Sequence, residues 1–174
     1  MNDKVSLRKK YTDASIADRQ AGSMISEAEN IISKRNPDII GIYLALASEA
    51  DISSLLIRFP DAKFAAPKIE NDRISFVRYY LTSPLQKNNE YSQFSEPKSD
   101  EIVYPDLIFV PSVALDLRGY RLGRGKGHYD KYFADNDAYK VGISTNLLEY
   151  IPDEPHDKKM DAVISENMVI NICR

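Results

Sequence analysis

Cysteine is almost absent: the 174-residue chain holds one, Cys173. A lone thiol cannot close an internal disulfide, and Cys173 has no cysteine or histidine neighbour at metal-ligand spacing. A reducing, cytoplasmic setting is the expectation. Long apolar runs are missing as well. The opening residues, MNDKVSLRKKYTDASIADRQ, mix acidic and basic groups, so neither a secretory signal nor a membrane span is predicted. Nor is there an excess of positive charge. The formal net charge is −3, which argues against a general polyanion binder. Nucleic acid and membrane are therefore not expected partners. Internal repeats, heptads and low-complexity tracts are also lacking, leaving one ordinary globular domain over 1–174. A chain of this length buries about 70% of its unfolded surface, so it needs no disulfide or structural metal to fold.

What is present reads as α/β. Between Ser15 and Ser33 the residues Ala17, Ala21, Met24, Ile25, Ala28, Ile31 and Ile32 recur at spacings of three and four, predicting a helix with one buried face. Ser15 and Asp18 stand as in a capping box at its start. A shorter helix carrying Lys4, Arg8 and Lys9 is expected before it, with Thr12 and Asp13 in the turn. The unalternating runs 39–45, 107–110, 140–143 and 162–164 predict strands buried on both faces of a parallel sheet. Helical stretches are expected near 51–58 and 127–135. Ile74 to Leu81 alternates, as an edge or antiparallel strand does. Residues 84–104 are polar and long for a structureless loop, a length often used for functional lids.

Glycine is scarce but clustered. Four of the seven glycines fall within nine residues, in Arg118-Gly119-Tyr120-Arg121-Leu122-Gly123-Arg124-Gly125-Lys126-Gly127-His128-Tyr129-Asp130. Such a run lets backbone N–H groups converge on a ligand with no Cβ in the way. Arg121, Arg124 and Lys126 add charge, and a helix opening near Gly127 adds its dipole, which together suit a polyphosphate. The Walker pattern fails because Tyr120 and Gly127 stand where glycine and Ser/Thr are required. The dinucleotide fingerprint fails at His128. A solvated turn remains the alternative. Asp130 follows closely enough to meet a phosphate-bound Mg²⁺, and Asp161, just before a strand, could reach the same site. A carboxylate in a first helical turn also serves simply to complement the dipole.

The stretch PDLIFVPSVALDLRGYRLGRGKGHYDKYF, 105–133, resembles the signature of the 5-formyltetrahydrofolate cyclo-ligase family. The resemblance extends in order and spacing to Lys4-x-x-x-Arg8, to Ile42-Tyr43-Leu44 followed by Glu49, to Ala66-Pro67-Lys68, and to Glu154-Pro155-His156-Asp157 leading to Asp161. It implies a single-domain three-layer α/β sandwich with a mostly parallel, Rossmann-like central sheet of the NagB/RpiA/CoA-transferase kind. It also implies ATP-driven cyclisation of 5-formyltetrahydrofolate to 5,10-methenyltetrahydrofolate. On that resemblance, ATP contacts fall on Lys4, Arg8, Arg121, Leu122, Gly123, Arg124, Gly125, Lys126, Gly127, His128 and Tyr129, and Mg²⁺ on Asp130 and Asp161. Arg124, Lys126 and His128 are the catalytic candidates. Leu44 and Glu49 would meet the folate, Glu49 accepting from the pterin's donor edge. Lys68 is placed near the formyl or phosphate region. His128 stands where many relatives have tyrosine, and His156 reads as structural. A monomer or weak dimer is expected.

Three other readings are open. A sugar-phosphate isomerase on a related scaffold would need a base at the sugar carbon and no ATP loop. A folate or nucleotide sensor would keep the binding loops without turnover. A nucleic-acid patch of Arg118, Arg121, Arg124, Lys126 and Lys131 would bind with steep salt dependence.

Overall fold

The structure, a computed structural model, describes residues 3–11, 18–166 and 168–172, with the side chains of 18–21 excepted. The expected Ser15 cap, the Thr12–Asp13 turn and Cys173 lie outside these residues. Helix α1 (Lys4–Tyr11) and the long α2 (Asp18–Arg35) lead into strand β1 (Ile39–Gly41) and the single-turn α3 (Leu55–Arg58). A hairpin follows, β2 (Lys63–Glu70) and β3 (Arg73–Tyr79), and then the short β4 (Leu85–Lys87), β5 (Ser95–Pro97) and β6 (Ile102–Val103). Next come β7 (Leu107–Pro111), β8 (Ala114–Asp116), β9 (Arg121–Leu122) and α4 (His128–Asp135). The chain closes with β10 (Tyr139–Ile143), β11 (Leu147–Leu148), β12 (Ala162–Ser165) and β13 (Met168–Asn171).

The main sheet has eight strands in the order β13-β12-β10-β7-β1-β2-β3-β6. Its five central strands are parallel, and the flanking β13, β3 and β6 pair antiparallel. The unalternating apolar runs have the cause anticipated for them. In β7, Leu107 and Phe109 belong to one core cluster while Ile108 and Val110 belong to the other. The pleat sends successive side chains to opposite faces, so a strand covered on both sides must be apolar at every position. On the first face lie Met24, Ala28, Ile31 and Ile32 of α2, each large side chain contributing roughly 1.5–3 kcal/mol by leaving water. On the second lie Tyr132 and Phe133 of α4. Among the described residues no helix is long and apolar enough to cross a membrane.

Two expectations change. Strand β2 has no counterpart in the periodicity reading, because Pro67 disguises it. Pairing with β1 ends at Ala65, so the imino nitrogen of Pro67 meets no partner ladder on that side and withdraws no bond from it. Residues 84–104 are not structureless: β4 and β5 form a small hairpin and β6 extends the sheet edge.

Candidate active site

Parallel strands bring their carboxyl ends to one side of the sheet, and ligands of such folds collect there. Here Tyr43, Leu44 and Glu49 after β1 and Pro111 at the end of β7 border a cavity of about 220 Å³. Its other walls come from α1 (Lys4, Arg8), the β2–β3 hairpin (Pro67, Ile69, Ile74), residues 94–96, the glycine-rich segment and the loop at 154–157.

The glycine-rich segment is a hairpin that runs into a helix. Strands β8 and β9 pair antiparallel, and Gly119, Gly125 and Gly127 take φ of 89°, 91° and 68°. An L side chain is strained at such angles, so at Gly125 and Gly127 the loop's path requires glycine. Gly123 serves a different need: a Cβ there would lie 2.6 Å from Arg121 Nη1. Arg121 is thus folded beneath the loop, its side chain 7% exposed, donating from Nη2 to Asp130 Oδ2 at 2.6 Å. Its Nε is buried and finds no hydrogen-bond partner among the described residues. Arg8 Nε donates to the Gly123 carbonyl at 2.9 Å, tying α1 to the loop.

Charge converges on the cavity. Lys4 Nζ donates to Asp157 Oδ2 at 2.6 Å, with Glu154 Oε2 at 3.5 Å. Arg124 donates from Nε to Glu49 Oε1 at 3.2 Å and from Nη2 to Ser48 Oγ at 2.7 Å. Lys126 Nζ lies 5.1 Å above the Tyr91 ring, a cation–π contact. His128 Nε2 is 2.9 Å from Asp72 Oδ1. Desolvation, reinforced by the Glu49 carboxylate, pushes the Tyr129 hydroxyl well above the ordinary phenol range, so it stays a hydrogen-bond donor. Tyr43, buried and donating to the Ala50 carbonyl at 2.6 Å, is raised for the same first reason.

The expected residues therefore assemble around the cavity, with four corrections. Asp161 sits at the amino end of β12, the opposite end of the sheet from the cavity, where its Oδ2 accepts from the Lys140 backbone N–H at 2.8 Å and pairs with Lys140 Nζ at 3.0 Å. Asp157, four residues earlier, is the carboxylate that lines the cavity. The side chain of Leu122 is fully buried in a cluster with Leu7, Val113, Ala114 and Ile151, and its carbonyl accepts from the Val113 N–H, so it stands behind the cavity wall. Lys68 turns away to Asp100 and the Ser99 carbonyl. Leu44 both packs on the core and borders the cavity. His156, expected to be structural, borders it too, its Nε2 3.3 Å from Glu154 Oε2.

Asp130 and Asp157 both border the cavity and offer hard oxygen atoms, the kind of donor Mg²⁺ favours alongside water and phosphate oxygens. Asp130 Oδ1 accepts from the N–H of Lys158, the residue after Asp157, at 3.0 Å. Sequence reasoning missed Asp157 as a site residue although it lies in the quoted Glu154–Asp157 block. Ile69, Ile74, Phe94 and Glu96 carried no signal, since only the fold brings them to the cavity.

With this geometry in place, comparison with known proteins decides the lineage. A family model described as the 5-formyltetrahydrofolate cyclo-ligase family matches residues 3–166. The chain belongs to that family. Among cyclo-ligases it is 42% identical over 64 residues to the Mycolicibacterium smegmatis protein, a stretch covering 34% of this chain and 33% of that one. The matched stretch thus spans about a third of that relative. With the Haemophilus influenzae cyclo-ligase it shares 27% identity over 149 residues, 78% and 79% of the two chains. The solved structure of Aquifex aeolicus 5,10-methenyltetrahydrofolate synthetase superposes with a TM-score of 0.81 at 28% identity, covering 97% of this chain and 92% of that one.

Proposed function

We propose that the chain converts 5-formyltetrahydrofolate and ATP to 5,10-methenyltetrahydrofolate, ADP and phosphate. The observation that carries this reading is the convergence of Lys4, Arg8, Arg121, Arg124 and Lys126 with Asp130 and Asp157 on one cavity, around a loop held open by Gly125 and Gly127. Cations and backbone N–H groups take up polyphosphate oxygens, while the apolar wall of Leu44, Pro67, Ile69 and Phe94 suits a flat pterin. An amide-like formyl oxygen leaves poorly. It attacks the γ-phosphorus, ADP departs, and N10 of the folate then adds to the formyl carbon. The C–O bond breaks, phosphate leaves, and the N10 proton is lost as the ring closes.

Such chemistry needs positioning and charge neutralisation more than a covalent nucleophile. Arg124 and Lys126, exposed on the loop, supply charge to the transferred phosphoryl group. Arg121, fixed by Asp130, holds the loop beneath it. Glu49 accepts from the pterin's donor edge, exchanging the contact it keeps with Arg124. Asp130 and Asp157 would hold Mg²⁺, which when bound neutralises the phosphates. A cytoplasmic monomer or weak dimer completes the reading, with gel filtration as its check.

The decisive assay mixes protein, Mg²⁺, ATP and 5-formyltetrahydrofolate and follows the absorbance of the methenyl product. Folate and ATP binding without turnover would replace this reading with that of a sensor.

A further inference from the structure

The tip of the β2–β3 hairpin is built to hold a carboxylate against the active site. Asn71 and Asp72 both take positive φ, 51° and 55°, as consecutive residues do in the two-residue turns that match strand twist. Their backbone N–H groups donate to the two oxygens of Glu90 at 2.6 and 3.0 Å, which locks the tip from outside. The Asp72 side chain then reaches helix α4. Its Oδ1 lies 2.9 Å from His128 Nε2 and accepts from the Tyr91 hydroxyl at 2.7 Å, while Oδ2 accepts from Lys131 Nζ. His128 is buried and lines the cavity. Its ring packs edge-on against Tyr91 at 5.3 Å, the same ring that carries Lys126.

We propose that Asp72 is a positioning residue of this active site, acting through His128 to fix the plane and the tautomer of its imidazole beside the glycine-rich loop. An ionised carboxylate only accepts, so Nε2 must carry the hydrogen and Nδ1 is the acceptor of the neutral ring. The carboxylate is reliably ionised: Lys131 first, then Tyr91 and His128, hold its pKa far below the usual range. Without it, a buried imidazole beside Tyr91 keeps neither a set tautomer nor a set plane. The loop that ends at Gly127 would then meet a differently presented ring. The contribution to turnover rests on the cyclo-ligase reading, whereas the tautomer does not, so the two can fail separately.

The test has a spectroscopic and a kinetic arm. The chain has two histidines, and exposed His156 serves as internal reference for ¹⁵N-imidazole NMR at about pH 8, where unperturbed rings are neutral. His128 is expected to show the Nε2–H form alone, and Asp72→Ala to show a mixture. An Nδ1–H ring in the unmodified protein, or identical spectra in the two, overturns the assignment. In methenyl formation, Asp72→Ala is expected to lower kcat about three- to tenfold, the range for one lost hydrogen bond, with KM for ATP nearly unchanged. In the His128→Phe background the same substitution should cost nothing further. A loss that persists there places the action in Tyr91 or Lys131 and overturns the proposal, as does unchanged kcat. Should Asp72→Ala fail to fold, Asp72→Asn replaces it, because its amide can donate as well as accept. Mixed tautomers and lowered kcat support the role, and an unchanged spectrum or turnover refutes it.

Discussion

Asp130→Asn tests whether one carboxylate serves two masters. Its oxygens accept from Arg121 Nη2 at 2.6 Å and from the Lys158 N–H at 3.0 Å, in a setting where the Asp130 and Arg121 side chains are 14% and 7% exposed. An asparagine has one carbonyl oxygen, so its NH₂ must confront one of those two donors. Whichever way the amide turns, a buried guanidinium whose Nε finds no partner among the described residues loses its counter-charge. Loss of one charge-assisted hydrogen bond costs roughly 1.5–3 kcal/mol. At about 2–4 °C per kcal/mol for a chain of this size, the melting temperature should fall by roughly 3–12 °C.

A purely structural role would end there. If Asp130 also holds Mg²⁺ with Asp157, a Mg²⁺ titration of turnover, run well below the lowered melting temperature, should show half-activation moved upward by about tenfold or more. That corresponds to roughly 1.4 kcal/mol of lost cation binding. Asp157→Asn should move the same curve with a smaller thermal effect, since Asp157 faces Lys4 and the N–H of Glu154 and supports no buried guanidinium. A melting temperature that falls while the Mg²⁺ curve stays in place would confine Asp130 to structure and remove the metal reading from this pair.

Asp161→Asn should do the reverse, lowering thermal stability through its contact with Lys140 and leaving the Mg²⁺ curve where it was; a shifted curve would restore Asp161 to the site. Arg124→Ala should raise KM for ATP, or lower kcat/KM, by about ten- to a hundredfold for one charge-assisted phosphate contact, and unchanged kinetics would exclude Arg124. Gly127→Ala meets no described residue within 4 Å and tests backbone strain: about 1–2 kcal/mol for a left-handed alanine, read as a lowered denaturant midpoint. Burial raises Tyr132 to about 12. A phenol neutral in the folded state and ionised when unfolded stabilises fully below about pH 10 and less as pH climbs toward 12. Tyr132→Phe should therefore flatten that alkaline decline, and an unaltered pH–stability curve would refute the burial argument.

How far these properties were legible depended on whether the physics that fixes them is local. Leu107 to Val110 announces a doubly covered strand in its own composition, and the spacing of Met24, Ala28, Ile31 and Ile32 announces the helix face that covers it. The glycine cluster was equally plain, because positive φ at Gly125 and Gly127 restricts residue type wherever the chain then goes. Asp161 and Asp157 show where local reading stops. Both are acidic, both lie just before β12, and both belong to the stretch from Glu154 to Asp161 that resembles the family. What separates them is that Asp157 lies in the loop that folds back over the strands' carboxyl ends and meets Lys4 across 153 positions, while Asp161 has reached the amino end of β12. Asp72 is the same lesson in another form: a turn aspartate explains itself locally, and only the packing of the β2–β3 hairpin against α4 turns it into a neighbour of His128. A residue whose role depends on which end of a sheet it faces carries no mark of it in its own spacing. Sheet order and strand direction must be known before such carboxylates can be assigned to the metal, to the fold, or to the imidazole beside the loop.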